Sequence, residues 1–157
     1  MASVPSDPAA ASPGRSWAHG DRGIRPLTDG ERAVIRDTAA PLLRDLAVSG
    51  LVLPDIRYEA HEDRGSGAVC AWIQGPGSTG AGIWIWLSSP AEQVTGLAEQ
   101  FQNWAADKLH DAGVAPEWPE CPVHPESRRL SPEVRDAVAI WLCWEGGHEV
   151  AEIGALT

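Results

Sequence analysis

The sequence predicts an α+β domain: a three-stranded antiparallel meander with two helices on one face, plus a C-terminal β-ribbon, in the order α-β-β-β-α-β-β. Three observations predict it. Two stretches of helical hydrophobic spacing each begin at a capping box. Between them lie alternating runs rich in β-branched and aromatic residues, separated by glycine-rich turns. After the second helix, a proline-rich segment gives way to renewed alternation.

The elements follow in order. Residues 1–26 are rich in Ala, Pro, Ser and Gly and have no hydrophobic period, so they read as a disordered arm that includes Trp17. Residues 27–157 then form one domain, with 118–157 as its ribbon-like part. The first helix starts at Thr28, whose hydroxyl can accept the amide three residues on while Glu31 reaches back. Ile35, Ala39, Leu42, Leu43 and Leu46 fall on one face. Pro41 removes a backbone donor and crowds the preceding turn, so a kink or break is expected there, with Gly50 near the end.

Ile56–Ala60, Ala68–Gln74 and Gly82–Leu87 read as strands, the last two joined by the Gly75–Gly80 loop. Alternation sorts them into two faces. Val69, Ala71, Ile73, Ile83, Ile85 and Leu87 make an aliphatic face, and Cys70, Trp72, Trp84 and Trp86 make the other. The second helix is announced by Ser89-Pro90-Ala91-Glu92, an N-cap, a first-turn proline and a capping-box acid. Val94, Leu97, Ala98, Phe101, Trp104, Ala105 and Leu109 form its apolar stripe, and Gly113 closes it. One or two further hairpin strands are expected next. Val138, Ile140 and Leu142 alternate with Ala139, Trp141 and Cys143, and a turn at Glu145-Gly146-Gly147 leads into Val150–Leu156.

Composition narrows function. The chain of 157 residues carries a net charge of −10. The first fifty residues are neutral, with six Arg against six acids, whereas residues 101–157 carry four bases against ten acids. A phosphate backbone would be repelled by that half, so nucleic acid is not an expected partner. Met1–Pro13 has neither a basic n-region nor an apolar h-region, and no apolar run approaches a membrane span. Three cysteines make an odd set, unlike a secreted disulfide framework. Together these predict a cytoplasmic protein without a membrane partner.

Two constellations carry chemistry. Cys121-x2-His124 has knuckle spacing on a Pro-flanked turn, and about twenty residues later Cys143 ends a strand with His148 beyond a turn. Thiolate and imidazole suit zinc. The four would close a ribbon around a structural zinc ion, because a catalytic site needs an open position and a base. Glu145 is a weaker fourth ligand than His148. Without metal, the same thiols would serve as small buried hydrophobes. The second constellation is Trp72, Trp84 and Trp86. A one-sided antiparallel sheet normally turns its second face to water, but here neither face is polar. The tryptophan face must be covered by the ribbon, by a partner or by a ligand.

Two other features read as structure. Glu59-Ala60-His61-Glu62-Asp63-Arg64-Gly65 sets a His among carboxylates, but it is polar throughout and reads as a solvated turn. Ser88 and Ser89 are accounted for by helix capping.

The order helix, three strands, helix and further strands resembles the double-stranded-RNA-binding domain. That family binds RNA through a basic patch at the start of its second helix; here the segment is Ser89-Pro90-Ala91-Glu92-Gln93, with no base, so the resemblance does not imply RNA binding. The same order, with the chain's length and acidity, resembles type III secretion chaperone-like proteins, which implies a non-enzymatic binder of other polypeptides. Trp118-Pro119-Glu120-Cys121-Pro122-Val123-His124-Pro125 and Val150–Leu156 resemble segments of a family of small actinobacterial proteins with no assigned activity. The expected function is a protein-binding module of adaptor, escort or immunity type, with a protein partner or a homodimer. The competing class is a small enzyme or biosynthetic accessory protein using a Trp-lined pocket.

Overall fold

Both capping boxes form. In the computed structural model, which describes residues 24–58, 61–62, 67–76, 80–115 and 117–157 (for 24, 25, 61 and 62 the backbone alone), α1 spans Asp29–Val48 and α2 spans Pro90–Asp111. The Thr28 hydroxyl accepts the Glu31 N–H at 3.2 Å, and Glu31 returns to the Thr28 N–H at 2.8 Å. Ser89 and Glu92 repeat the exchange at 3.4 and 3.0 Å. The Ser89 hydroxyl, then the Ser89 backbone N–H, hold the Glu92 carboxyl below its ordinary range.

The α+β class holds. The strands are β1 (Ile24–Arg25), β2 (Asp55–Arg57), β3 (His61–Glu62), β4 (Ala68–Gln74), β5 (Ala81–Trp86), β6 (Ser131–Arg135), β7 (Val138–Cys143) and β8 (His148–Glu152). They form two three-stranded antiparallel sheets, β2-β4-β5 and β6-β7-β8, and a short β1–β3 pair. Ile24–Arg25 therefore pair within the domain although they fall in the segment read as an arm, of which residues 1–23, Trp17 included, lie outside the described residues. Most of the Glu59–Gly65 run also lies outside them, and His61–Glu62 are the strand opposite β1.

Three local expectations differ from the structure. Pro41 lies inside α1 without interrupting it. Its neighbours Ala39 and Leu42 are fully buried, and a Cβ at Gly154 would sit 2.7 Å from the Pro41 Cβ, so the helix is packed on both sides of the missing donor. Tertiary burial outweighs the local penalty there. Leu87 is 62% exposed because β5 ends at Trp86, and alternation stops with the strand. The C-terminal part is a three-stranded sheet. Its first strand, β6, contains Pro132, which is tolerated because β6 is an edge. The β6–β7 turn is made by Asp136 and Ala137 at φ 47° and 63°. Glycine or asparagine usually marks such a turn, and its absence hides this one.

The two sheets grip α2 from different sides. The Gln100 side-chain amide donates to the Trp84 carbonyl at 2.7 Å and accepts the Trp84 N–H at 2.9 Å, closing the outer edge of β5. Gln102, about 200° further round the helix, donates to the Leu130 carbonyl at 2.6 Å beside β6. Leu97, Ala98, Phe101 and Ala105 are fully buried between, with Val69, Ile73, Ile83 and Ile85 from the first sheet and Trp141 from the second in the same core. The ribbon sheet thus packs on α2, and among the described residues no element of it covers the tryptophan face of the first sheet.

Candidate metal centre and tryptophan face

Cys121 and His124 lie on the loop between α2 and β6, Cys143 ends β7, and His148 begins β8. Antiparallel pairing sets Cys143 directly opposite His148. The α2–β6 loop is anchored from below: the Trp118 indole donates to the Ser49 hydroxyl at 2.8 Å and meets Trp141 edge-to-face at 5.7 Å. Leu130 N–H closes the loop on the Pro119 carbonyl at 2.8 Å. These contacts bring the Cys121 knuckle over the end of β7.

The result is a cluster of four. One ligand atom from each of Cys121, His124, Cys143 and His148 lies within 4.8 Å of all the others. Cys121 Sγ is 3.6 Å from His124 Nδ1 and 3.8 Å from His148 Nε2, and Cys143 Sγ is 3.3 Å from His124 Nδ1. A tetrahedral zinc ion with bonds of about 2.3 Å to sulfur and about 2.0 Å to nitrogen sets sulfur and nitrogen ligands about 3.5 Å apart. The sulfur–nitrogen distances bracket that value. Both cysteines are buried and both imidazoles half-buried, so a metal there would be largely withdrawn from water. A Cys2His2 set of this geometry can hold a metal ion.

The second turn is already shaped for a thiolate. The Cys143 thiol is held below its ordinary range, chiefly by the Gly146 backbone N–H. Burial opposes this, while hydrogen bonds with Cys121, His124 and the Glu145 N–H add to it. Glu145 thus contributes its backbone; its side chain is outside the ligand cluster. Gly146 is the residue sequence reasoning passed over. A Cβ there would lie 2.6 Å from His148 Cε1 and 2.7 Å from His124 Cε1, and would collide with His148 Nδ1. The signal was the Gly146-Gly147 pair, read only as a turn. Gly146→Ala should push both imidazoles off their positions and weaken metal binding by about tenfold or more, the scale of lost support around a ligand. Competition with a chromophoric chelator measures this; unchanged affinity would refute the packing argument.

The tryptophan face stands apart from this cluster. Cys70 faces Trp84 across the β4–β5 ladder, and Trp72 faces Gly82, so all three indoles project from one side. Trp72 is 53%, Trp84 36% and Trp86 56% exposed. The Trp84 indole folds back over Gly82, where an added Cβ would meet its ring at 3.0 Å. At the β5 edge, Trp84 and Trp86 line a groove of about 510 Å³ whose other wall is α2. Its polar wall groups, Glu99, Gln100, Asn103 and Asp107, were not legible as a site because they fall on the outer side of an amphipathic helix. Trp104 lines the same groove, and among the described residues its indole N–H has no acceptor.

Among the described residues, no helix is long and apolar enough to cross a membrane. Comparison with protein families, curated proteins and solved structures finds no match for this chain.

Proposed function

We propose that this chain is a non-enzymatic protein-binding module of adaptor, escort or immunity type, which docks a polypeptide on Trp72, Trp84 and Trp86 and is braced at its C-terminal end by a structural zinc ion. One observation carries the docking reading: three large indoles stand exposed on one sheet face while helices and ribbon occupy the rest of the packing. Leaving apolar surface in water is unfavourable by roughly 25 cal/mol per Å², and tryptophan is a typical interface anchor. Zinc fits the second part because four protein ligands leave no open position for chemistry.

A small enzyme or accessory protein is the second reading, and the groove beside Trp84 favours it. Against it, the Gln100 amide is already committed to the Trp84 backbone, and no His, Cys or Ser lines the groove. The docking reading therefore ranks first.

Trp84→Ala or Trp86→Ala should weaken partner binding or self-association by about 2 kcal/mol, the scale of an interface anchor. Changes at His61 or Glu62 should have smaller effects. Pull-down from the native host and sedimentation of the purified protein provide the two measurements. If neither substitution alters any association, the docking reading is lost.

A further inference from the structure

The groove between β5 and α2 has a chemical character that the flat part of the tryptophan face lacks. Glu99, Asn103 and Asp107 line it at successive turns of α2, with both carboxylates exposed. No Lys, Arg or His lines it directly, although the Arg129 guanidinium donates to the Asn103 side-chain oxygen at 3.3 Å at its rim, and neither carboxylate has an ion-pair partner within 4.0 Å among the described residues. Lys108, the cation next along the helix, is turned to Asp111 at 3.7 Å. The opposite wall is formed by Trp84 and Trp86. Gly96 lies on the helix wall too, where an added Cβ would meet nothing within 4 Å. A glycine inside a helix is about 1 kcal/mol less favourable than alanine; no packing contact requires this one, and it widens the groove.

Unpaired carboxylates facing exposed indoles make a receptor for organic cations. An arginine guanidinium stacks on an indole and forks onto a carboxylate at once. Glu99 and Asp107 are eight residues apart, about 12 Å along the helix. In an extended chain, residues four apart point the same way and are separated by about 13 Å. We propose that this groove seats an extended segment of a partner polypeptide that carries two arginines four residues apart, each held between an α2 carboxylate and the β5 tryptophans. The net charge of −10 would steer such a segment toward the protein. A second copy of the chain is a poorer occupant, since it brings the same acidic groove. This inference rests on the docking reading above and specifies the partner's chemistry.

The test uses the full chain and a seven-residue peptide with arginines at its second and sixth positions among Gly and Ser. Binding is read from the tryptophan indole N–H resonances, assigned by single substitution. The expected result is saturable shifts at Trp84 and Trp86 with a Kd below about 1 mM, weakening as salt rises. The combined Glu99→Gln and Asp107→Asn variant should lose about tenfold or more, as should Trp84→Ala. Glu149→Gln, an exposed acid on β8, should stay within about twofold. A peptide with its two arginines adjacent should bind more weakly. Equal binding of a peptide with neutral residues in place of arginine, or no indole shift at all, would overturn the proposal. So would affinity unchanged by loss of both carboxylates. If capture of the native partner depends on Trp84 but not on Glu99 and Asp107, the docking reading stands and this inference falls. If arginine binding depends on the carboxylates while no association depends on the tryptophans, the docking reading falls and the cation site stands.

Discussion

Stripping metal from the protein is expected to melt the loop that carries Cys121 and His124 together with the β7–β8 turn, and to lower the melting temperature by about 10 °C or more. The four ligand atoms already lie within 4.8 Å of one another, so a zinc ion would bind the folded state, which gathers them, and not the unfolded chain. Binding free energy is then folding free energy. Even about 5 kcal/mol of linkage corresponds to about 10–20 °C for a chain of this size. Cys121→Ser and Cys143→Ser should reproduce the effect of a chelator, with no further drop when the two are combined. Acid should act in the same direction. Both imidazoles must be neutral and both thiols ionised to hold the ion, so metal binding weakens as pH falls. The lowered thiol range of Cys143 favours its thiolate, and that contribution also vanishes as pH falls through it. Elemental analysis should find one zinc per chain in protein purified without chelators. Absence of metal, together with a melting temperature indifferent to chelator, would reject the site.

The second large effect is expected at Asp45. This carboxylate is fully buried on the inner face of α1. One oxygen accepts the Trp141 indole N–H and the Gly154 amide, both at 2.7 Å, and the other accepts the Leu156 amide at 3.0 Å. Three donors from β7 and the chain's last residues thus converge on one helix side chain. Hydrogen bonds to a charged acceptor contribute about 1.5–3 kcal/mol each, and a buried donor left unpaired costs about 1–3 kcal/mol. Asp45→Ala should therefore destabilise the fold by at least about 3 kcal/mol, a fall of roughly 6–12 °C in melting temperature. Asp45→Asn should recover only part of the loss, because its amide turns a donor toward donors. Amide exchange at Gly154 and Leu156 should rise before exchange in α2 does. A destabilisation under about 1 kcal/mol would show that water or repacking satisfies these groups.

Much of this architecture is local and so was legible. The two capping boxes, the alternation of β4 and β5, and the stripe on α2 depend only on neighbours in sequence, and each formed as expected apart from Leu87, which lies beyond the end of β5. The Cys and His spacing named the four residues that the structure gathers into one cluster for the same reason: a knuckle is a short turn, and strand pairing brings its two ends together. Pro41, the Asp136-Ala137 turn and Asp45 were not legible. For Pro41 and Asp45 distant packing outweighs the local preference, whereas the exposed Asp136-Ala137 turn lacks the glycine or asparagine that would have announced it. Asp45 did leave a trace, a charge beside Leu42 and Leu46 on the apolar side of α1, but nothing in sequence indicates which donors meet it.

By itself, then, the sequence determined the elements, the two faces of the first sheet and the identity of the candidate ligands, because backbone propensity and side-chain period act over a few residues. Only the tertiary structure decided what covers what. The ribbon could have closed over Trp72, Trp84 and Trp86, and the pattern of the strands allows it. It packs on the helices instead, held by Asp45 to Trp141 and by Gln102 to the Leu130 carbonyl. Those buried polar contacts join residues far apart in the chain. They fix the ribbon against the two helices, and Trp72, Trp84 and Trp86 remain exposed.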